Sequence, residues 1–203
     1  MIIVGLTGSI AMGKSTTAQM FRDFGIPVHD ADAVVHRLYE GKAVPLIENA
    51  FPGAVKEGRV DRVALSQQVL GKPEQLKLLE SLIHPLVHAE ERLFLEEAER
   101  NGEKIVILDI PLLFEVGGEK RVDVIVVVTA DVKIQEQRAL QRPGMTRARL
   151  AQILARQMPD AEKRNRADFL VDTSEGMDSA RGQVRAIIDK LIESNQPITG
   201  PER

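Results

Sequence analysis

Five short runs of aliphatic and β-branched residues recur along the chain, at 1–6, 26–29, 104–110, 122–129 and 169–171. Their apolarity is continuous, as in Ile105-Val106-Ile107-Leu108, where a strand with one wet face would alternate. Such runs belong to strands buried on both sides, the condition of a parallel sheet covered by helices. Helical stretches separate the runs, so the expected class is α/β, with three layers around a five-stranded parallel sheet.

Two intervals exceed an ordinary crossover. Between the second and third runs the sequence is helical in character, with Leu79, Leu82, Ile83, Leu86 and Val87 at helical spacing and Pro85 marking a kink or a break. This predicts an inserted helical subdomain at 33–102. A second helical excursion, 132–166, carries Arg138, Arg142, Arg147, Arg149, Arg156, Arg164 and Arg166. The core is then assembled from 1–32, 103–131 and 167–194. Its last helix, about 179–193, sets Ala180, Val184, Ile187, Ile188, Leu191 and Ile192 on one stripe that covers the sheet. Residues 195–203, with two prolines and a glycine, read as a frayed tail.

Composition narrows the function classes. The 203 residues are 43% hydrophobic and 28% charged, ordinary globular values, with a net charge of −3 and a pI near 5.9. An acidic balance with only 3% aromatic residues argues against a nucleic-acid binder that stacks bases in a basic groove. Cysteine is absent, which excludes disulfides and thiolate metal sites. No apolar run approaches the roughly 18 residues that span a bilayer, and the first residues lack the basic leader of a signal peptide. A soluble cytoplasmic protein is expected, free of membrane, as a monomer or small homo-oligomer.

Directly after the first run the chain reads G-L-T-G-S-I-A-M-G-K-S-T-T, and Lys14 to Phe24 supplies a helix with Ala18, Met20, Phe21 and Phe24 as apolar positions. Gly8-x-x-x-x-Gly13-Lys14-Ser15 between a strand and a helix is the pattern that wraps phosphates with backbone N–H groups. Glycine suits such a loop because it takes positive φ freely and lets the backbone approach an anion. The lysine then reaches the terminal phosphates and the serine hydroxyl holds Mg²⁺. The bland alternative is a glycine turn with an incidental lysine.

Phosphoryl transfer also needs a metal-linked carboxylate, cations and a group that orients the acceptor. Asp109 ends the third run, at the sheet edge where open α/β sheets bind ligands, and could hold Mg²⁺; it could equally cap the turn before Pro111. Asp30 and Asp32 follow the second run. They share a side if the segment stays extended and diverge if a helix starts between them, with Asp30 then its N-cap and Asp32 the better candidate to receive a proton from a hydroxyl. Arg138 and Arg142, four apart, would share a helix face, either as charge stabilisers or as a solvated basic surface. His84, before Pro85, is a packing residue or a binding residue.

Taken together, the glycine loop, D-A-D after the second run, I-H-P in the insertion, L-D-I-P-L-L-F-E on the third run and the R-x-x-x-R segment resemble the dephospho-coenzyme A kinases, in that family's order. The resemblance implies a P-loop NTPase fold with an inserted substrate domain at 33–102 and an arginine-bearing lid at 132–166. It implies transfer of the ATP γ-phosphoryl to the ribose 3′-hydroxyl of dephospho-coenzyme A, with ATP and Mg²⁺ required. By position, Gly8, Ser9, Ile10, Ala11, Met12, Gly13, Lys14, Ser15 and Thr16 would hold the ATP phosphates, with Arg142 beside them. Lys14, Asp32 and Arg138 would be catalytic; Asp32, His84, Pro111 and Leu112 would meet the acceptor; Ser15 and Asp109 would serve the metal. Two positions depart from the family's pattern. Ala11 stands where glycine is frequent, and Asp172-Thr173-Ser174 stands where many members carry an asparagine near the adenine. A kinase of another small nucleoside or nucleotide acceptor is the alternative reading.

Overall fold

The computed structural model describes residues 1–194; the expected tail, 195–203, lies outside the described residues. Backbone contacts divide the chain into two compact units, Met1–His29 with the described part of Ala98–Arg203, and Asp30–Glu97. The second unit begins and ends slightly earlier than the expected insertion at 33–102, and it takes Asp32 with it. Residues 132–166, expected as a lid, cluster with the first unit.

A five-stranded sheet carries the first unit. Its strands are β1 (Ile2–Thr7), β2 (Val28–Asp30), β5 (Ile105–Asp109), β6 (Val124–Thr129) and β7 (Phe169–Asp172), in the order β2-β5-β1-β6-β7. The pairings β1–β5, β1–β6 and β6–β7 are parallel. All five residues of β5 are buried, as the unbroken run Ile-Val-Ile-Leu required. Alternate residues Val4, Leu6, Ile105, Ile107, Val126 and Val128 form one packed face. Against it lie Ala18, Met20 and Phe21 of α1 (Lys14–Asp23) and the stripe Ala180, Val184, Ile187, Ile188 and Leu191 of α9 (Met177–Ser194). The second strand starts later than the apolar run because Pro27 has no N–H for the ladder, although its carbonyl accepts from Ile107 N at 2.9 Å. Three short helices complete this unit: α6 (Val132–Leu140), α7 (Arg147–Leu154) and α8 (Asp160–Asn165), with a 3-10 turn at Gly118–Arg121.

The second unit has its own core. Helices α2 (Ala31–Tyr39), α3 (Val44–Ala50) and α4 (Arg62–Val69) surround Val34, Leu38, Ile47, Phe51 and Leu65, joined by Ile83 from α5 (Pro73–Arg100). One expectation fails here. The unit is not wholly helical, because β3 (Val55–Lys56) and β4 (Arg59–Val60) pair as an antiparallel hairpin. Its two-residue turn puts Glu57 at φ 51° and Gly58 at φ 75°, the double positive-φ turn that matches strand twist. Nor does Pro85 mark a break, one of the two readings offered for it, since α5 continues through it for 28 residues. An internal proline costs about 3 kcal/mol. Leu79, Leu82, Ile83, Leu86 and Val87 pack on the unit's core, and even partial burial of five aliphatic chains at ~1.5 kcal/mol or more each offsets that cost.

Candidate functional site

The phosphate-type loop occupies the turn between β1 and α1, and its two flanking glycines serve different ends. At Gly8 the need is space, because a Cβ there would meet the Val128 carbonyl oxygen at 2.6 Å. At Gly13 it is backbone conformation: φ is 99°, left-handed, and a Cβ would also touch Thr173 at 3.0 Å. Ala11 takes a left-handed φ of 63° while bearing a side chain. It is buried against Ala139 and Leu150, which hold it there.

Helix α1 opens with no side-chain cap and no acidic residue in its first turn. The ladder begins at Thr17 N, which donates to Gly13 O at 3.0 Å, so the N–H groups of Lys14, Ser15 and Thr16 precede it at the positive end of the helix dipole. That is the arrangement that receives an anion. Lys14 Nζ lies 2.6 Å from Asp109 Oδ1, with the lysine side chain 15% exposed and the aspartate 3%. The carboxyl end of the interior strand β5 and the loop lysine, two separate candidates in the sequence, are thus joined. Thr7, fully buried at the end of β1, donates its hydroxyl to Pro111 O at 3.0 Å, and Leu112 beside it is exposed. The Ser15 and Thr16 side chains are exposed.

Arg138 sits on α6, and Arg142 follows just past its end, with Arg142 N donating to Ala139 O at 3.0 Å. Both line a cavity of about 300 Å³ together with Gly13, Thr16, Thr173 and Met177. The Arg138 guanidinium is anchored to Thr173, donating to its hydroxyl at 2.7 Å and its carbonyl at 2.9 Å. That hydroxyl donates in turn to Met12 O of the loop at 2.8 Å. Thr173 therefore ties the end of β7 to both the loop and the arginine, a role no local pattern announces. Next to it, the Ser174 hydroxyl holds the Asp172 carboxyl below its usual range; burial opposes it, and the Ser174 N–H, Arg164 and Arg138 add to the lowering.

Ile10 of the loop is held through both of the peptide groups that flank its Cα. Gln135 Nε2 donates to its carbonyl at 2.8 Å, and its N–H donates to Gln157 Oε1 at 3.1 Å. Neither glutamine stands out in the sequence.

In the second unit, Asp30 Oδ1 accepts from Ala33 N at 2.9 Å and caps α2. A helix thus starts between the two aspartates and they diverge; Asp32 faces a cavity of about 360 Å³ in that unit, with His36, Tyr39, Arg62 and Ser66. Arg62 approaches His36 Nε2 at 2.9 Å. Burial pushes the Tyr39 phenol above its usual range, with Arg62 opposing. His84 is exposed on α5, its ring centroid 6.4 Å from that of His88, and it does not line this cavity.

Among the described residues no helix is long and apolar enough to cross a membrane, and no three His, Cys, Asp or Glu side chains gather to hold a metal by themselves. The exposed Ser15 hydroxyl and the Asp109 carboxylate are hard oxygen donors of the kind Mg²⁺ takes alongside phosphate and water.

The profile of the dephospho-CoA kinase family matches residues 2–179. A dephospho-CoA kinase of Mesorhizobium japonicum is 59% identical over 191 residues, covering 94% of this chain and 97% of that protein. One from Brucella melitensis is 56% identical over 191 residues, covering 94% and 96%. A crystal structure of a Thermus thermophilus protein superposes with a TM-score of 0.81 at 37% identity, covering 97% of this chain and 98% of that one. With its phosphate-type loop facing a lysine–aspartate pair and its sequence matched almost end to end, the chain belongs to the dephospho-CoA kinase family.

Proposed function

We infer that the protein phosphorylates the ribose 3′-hydroxyl of dephospho-CoA with ATP, the last step of coenzyme A biosynthesis. The observation that carries the reading is the Lys14–Asp109 pair at the open start of α1, in a chain of this family. In this reading the ATP phosphates lie along Gly8–Thr16, and the N–H groups of Lys14, Ser15 and Thr16 donate to them. Lys14 exchanges Asp109 for the β and γ phosphates, since an incoming polyanion competes for the same ammonium. Ser15 and Asp109 would hold Mg²⁺, which neutralises charge on the β and γ phosphates when bound.

The Pγ–O bond to ADP breaks as the bond from the 3′-oxygen to Pγ forms, and Asp32 accepts the hydroxyl proton. Arg138 and Arg142 balance charge on the moving phosphoryl; in related transfers one arginine is worth about 10³ to 10⁵ in rate. Residues 132–166 act as the lid and 33–102 hold the acceptor, with His84, Pro111 and Leu112 as its contacts. A panel of dephospho-CoA, adenosine, AMP and shikimate, with ADP release as readout, tests the acceptor. Turnover with dephospho-CoA at least a hundredfold above the others is expected, and equal or better turnover with another acceptor would overturn it.

A further inference from the structure

The glycine loop is also held from outside. Ile10 lies in its middle, and both polar groups of its backbone are taken by side-chain amides from sequence-distant elements. Gln135 comes from α6 and is 5% exposed. Gln157 comes from the turn after α7, where its own N–H donates to Leu154 O at 3.1 Å. The amide orientations are dictated by the partner: a carbonyl only accepts and an N–H only donates, so Gln135 presents its NH₂ and Gln157 its oxygen. The mount beneath Gln157 is itself fixed, because Met158 N donates to Glu115 Oε1 at 2.8 Å and Thr129 Oγ1 donates to Asp160 Oδ2 at 2.8 Å.

What the clamp holds are the two peptides on either side of the Ile10 Cα, with Gln157 on the Ser9–Ile10 peptide and Gln135 on the Ile10–Ala11 peptide. The second leads directly into Ala11, whose φ of 63° is one that a residue with a side chain keeps only when its surroundings over-determine it. Freeing the peptides on either side of Ile10 would let Ala11 relax toward negative φ and turn the following N–H groups away from the anion. We propose that Gln135 and Gln157 are positioning residues for phosphoryl transfer, clamping the two peptides that flank Ile10 so that the loop stays in its phosphate-binding shape. The proposal rests on the reading of Gly8–Thr16 as the ATP phosphate seat, and it extends the machinery to two side chains that touch no substrate.

The clamp predicts an asymmetry that ordinary packing does not. In Gln157→Glu the carboxylate still accepts from Ile10 N, whereas in Gln135→Glu a carboxylate faces the Ile10 carbonyl and repels it. Steady-state kinetics with Mg-ATP and dephospho-CoA should give Gln157→Glu within threefold of wild type. Gln135→Glu and Gln157→Leu should each lose at least tenfold in kcat/KM for ATP, with KM for dephospho-CoA unchanged within twofold. Equal effects of the two Glu substitutions, or losses confined to the dephospho-CoA KM, would overturn the clamp. Should Gln135→Glu fail to fold, the pair Gln157→Glu and Gln157→Leu decides alone, since equal activities there refute the role. Lys14→Ala run in parallel separates the two readings: if it keeps activity, the phosphate seat itself is wrong, and if it abolishes activity while the glutamine variants are normal, only the clamp falls.

Discussion

Substituting Gly8 by alanine tests the loop's seating with one methyl group. The added Cβ would stand 2.6 Å from the Val128 carbonyl oxygen, against ordinary contact at 3.4 Å or more, so about 0.8 Å must be found. Val128 cannot supply it by a rotamer change, because the clashing atom is backbone and Val128 is registered against Val171 of β7. The loop must therefore lift. Overpacking of this kind costs on the order of 1–3 kcal/mol in stability. A shift approaching 1 Å in groups that align a reacting phosphate costs about 10²-fold in rate. Urea unfolding and ADP-release kinetics on the same preparation measure both quantities. Gly25→Ala is the matched control: its φ of 80° strains an alanine by about 1 kcal/mol, yet nothing lies within 4 Å and it is away from the loop, so kcat should not change. If Gly8→Ala kept kcat/KM within threefold of wild type, the argument from close approach would be refuted.

Other perturbations probe separate parts of the account. Asp32→Asn should lower kcat more than it raises KM for dephospho-CoA, and a pure KM effect would make Asp32 a binding residue. Arg138→Ala should reduce kcat at least about a hundredfold, because its anchorage to Thr173 holds the guanidinium on the cavity beside Gly13; a change under threefold would mark a structural strut. Glu115→Ala leaves Lys163, fully buried and 2.9 Å from Glu115 Oε1, without its counter-charge, at a cost of about 3 kcal/mol read by urea unfolding at pH 7. Burial alone would raise the Glu115 carboxyl, but Lys163 and the Met158 N–H outweigh it and hold it below the usual glutamate range. Its stabilisation is therefore present above that range and lost as pH falls through it, so the gap between wild type and Glu115→Ala should narrow on acidification below about pH 4.5. A gap that widened there would contradict the assignment.

The parts of this molecule legible in its sequence are those written locally. Continuous aliphatic runs give strands because a doubly covered sheet tolerates nothing else, and the glycine–lysine spacing gives the loop because backbone geometry leaves few alternatives. The reasons inside the loop were less visible: Gly8 answers to Val128, 120 positions along the chain, and only Gly13 answers to its own dihedral. The hairpin at β3–β4 escaped notice because two-residue strands carry no periodicity and Glu57-Gly58 lacks the usual Asn-Gly or Asp-Gly cue. Pro85 read as a kink or a break, and no break occurs because the packed face of its own helix carries the helix past it. Gln135, Gln157 and Thr173 meet the loop from 125, 147 and 161 residues away, and a single sequence holds no trace of such pairings. Asp30 and Asp32 were separable only once a helix was seen to begin between them.

In the function proposed above, the seat formed by Gly8–Thr16 and Lys14 delivers a phosphoryl group to one particular hydroxyl. Incubation of the protein with Mg-ATP and dephospho-CoA, followed by mass spectrometry and ³¹P NMR of the product, tests it most directly. A single added phosphoryl as a monoester on the ribose 3′-oxygen is expected, formed by wild type and absent with Lys14→Ala. A phosphate on another position, or an undiminished yield with Lys14→Ala, would contradict it.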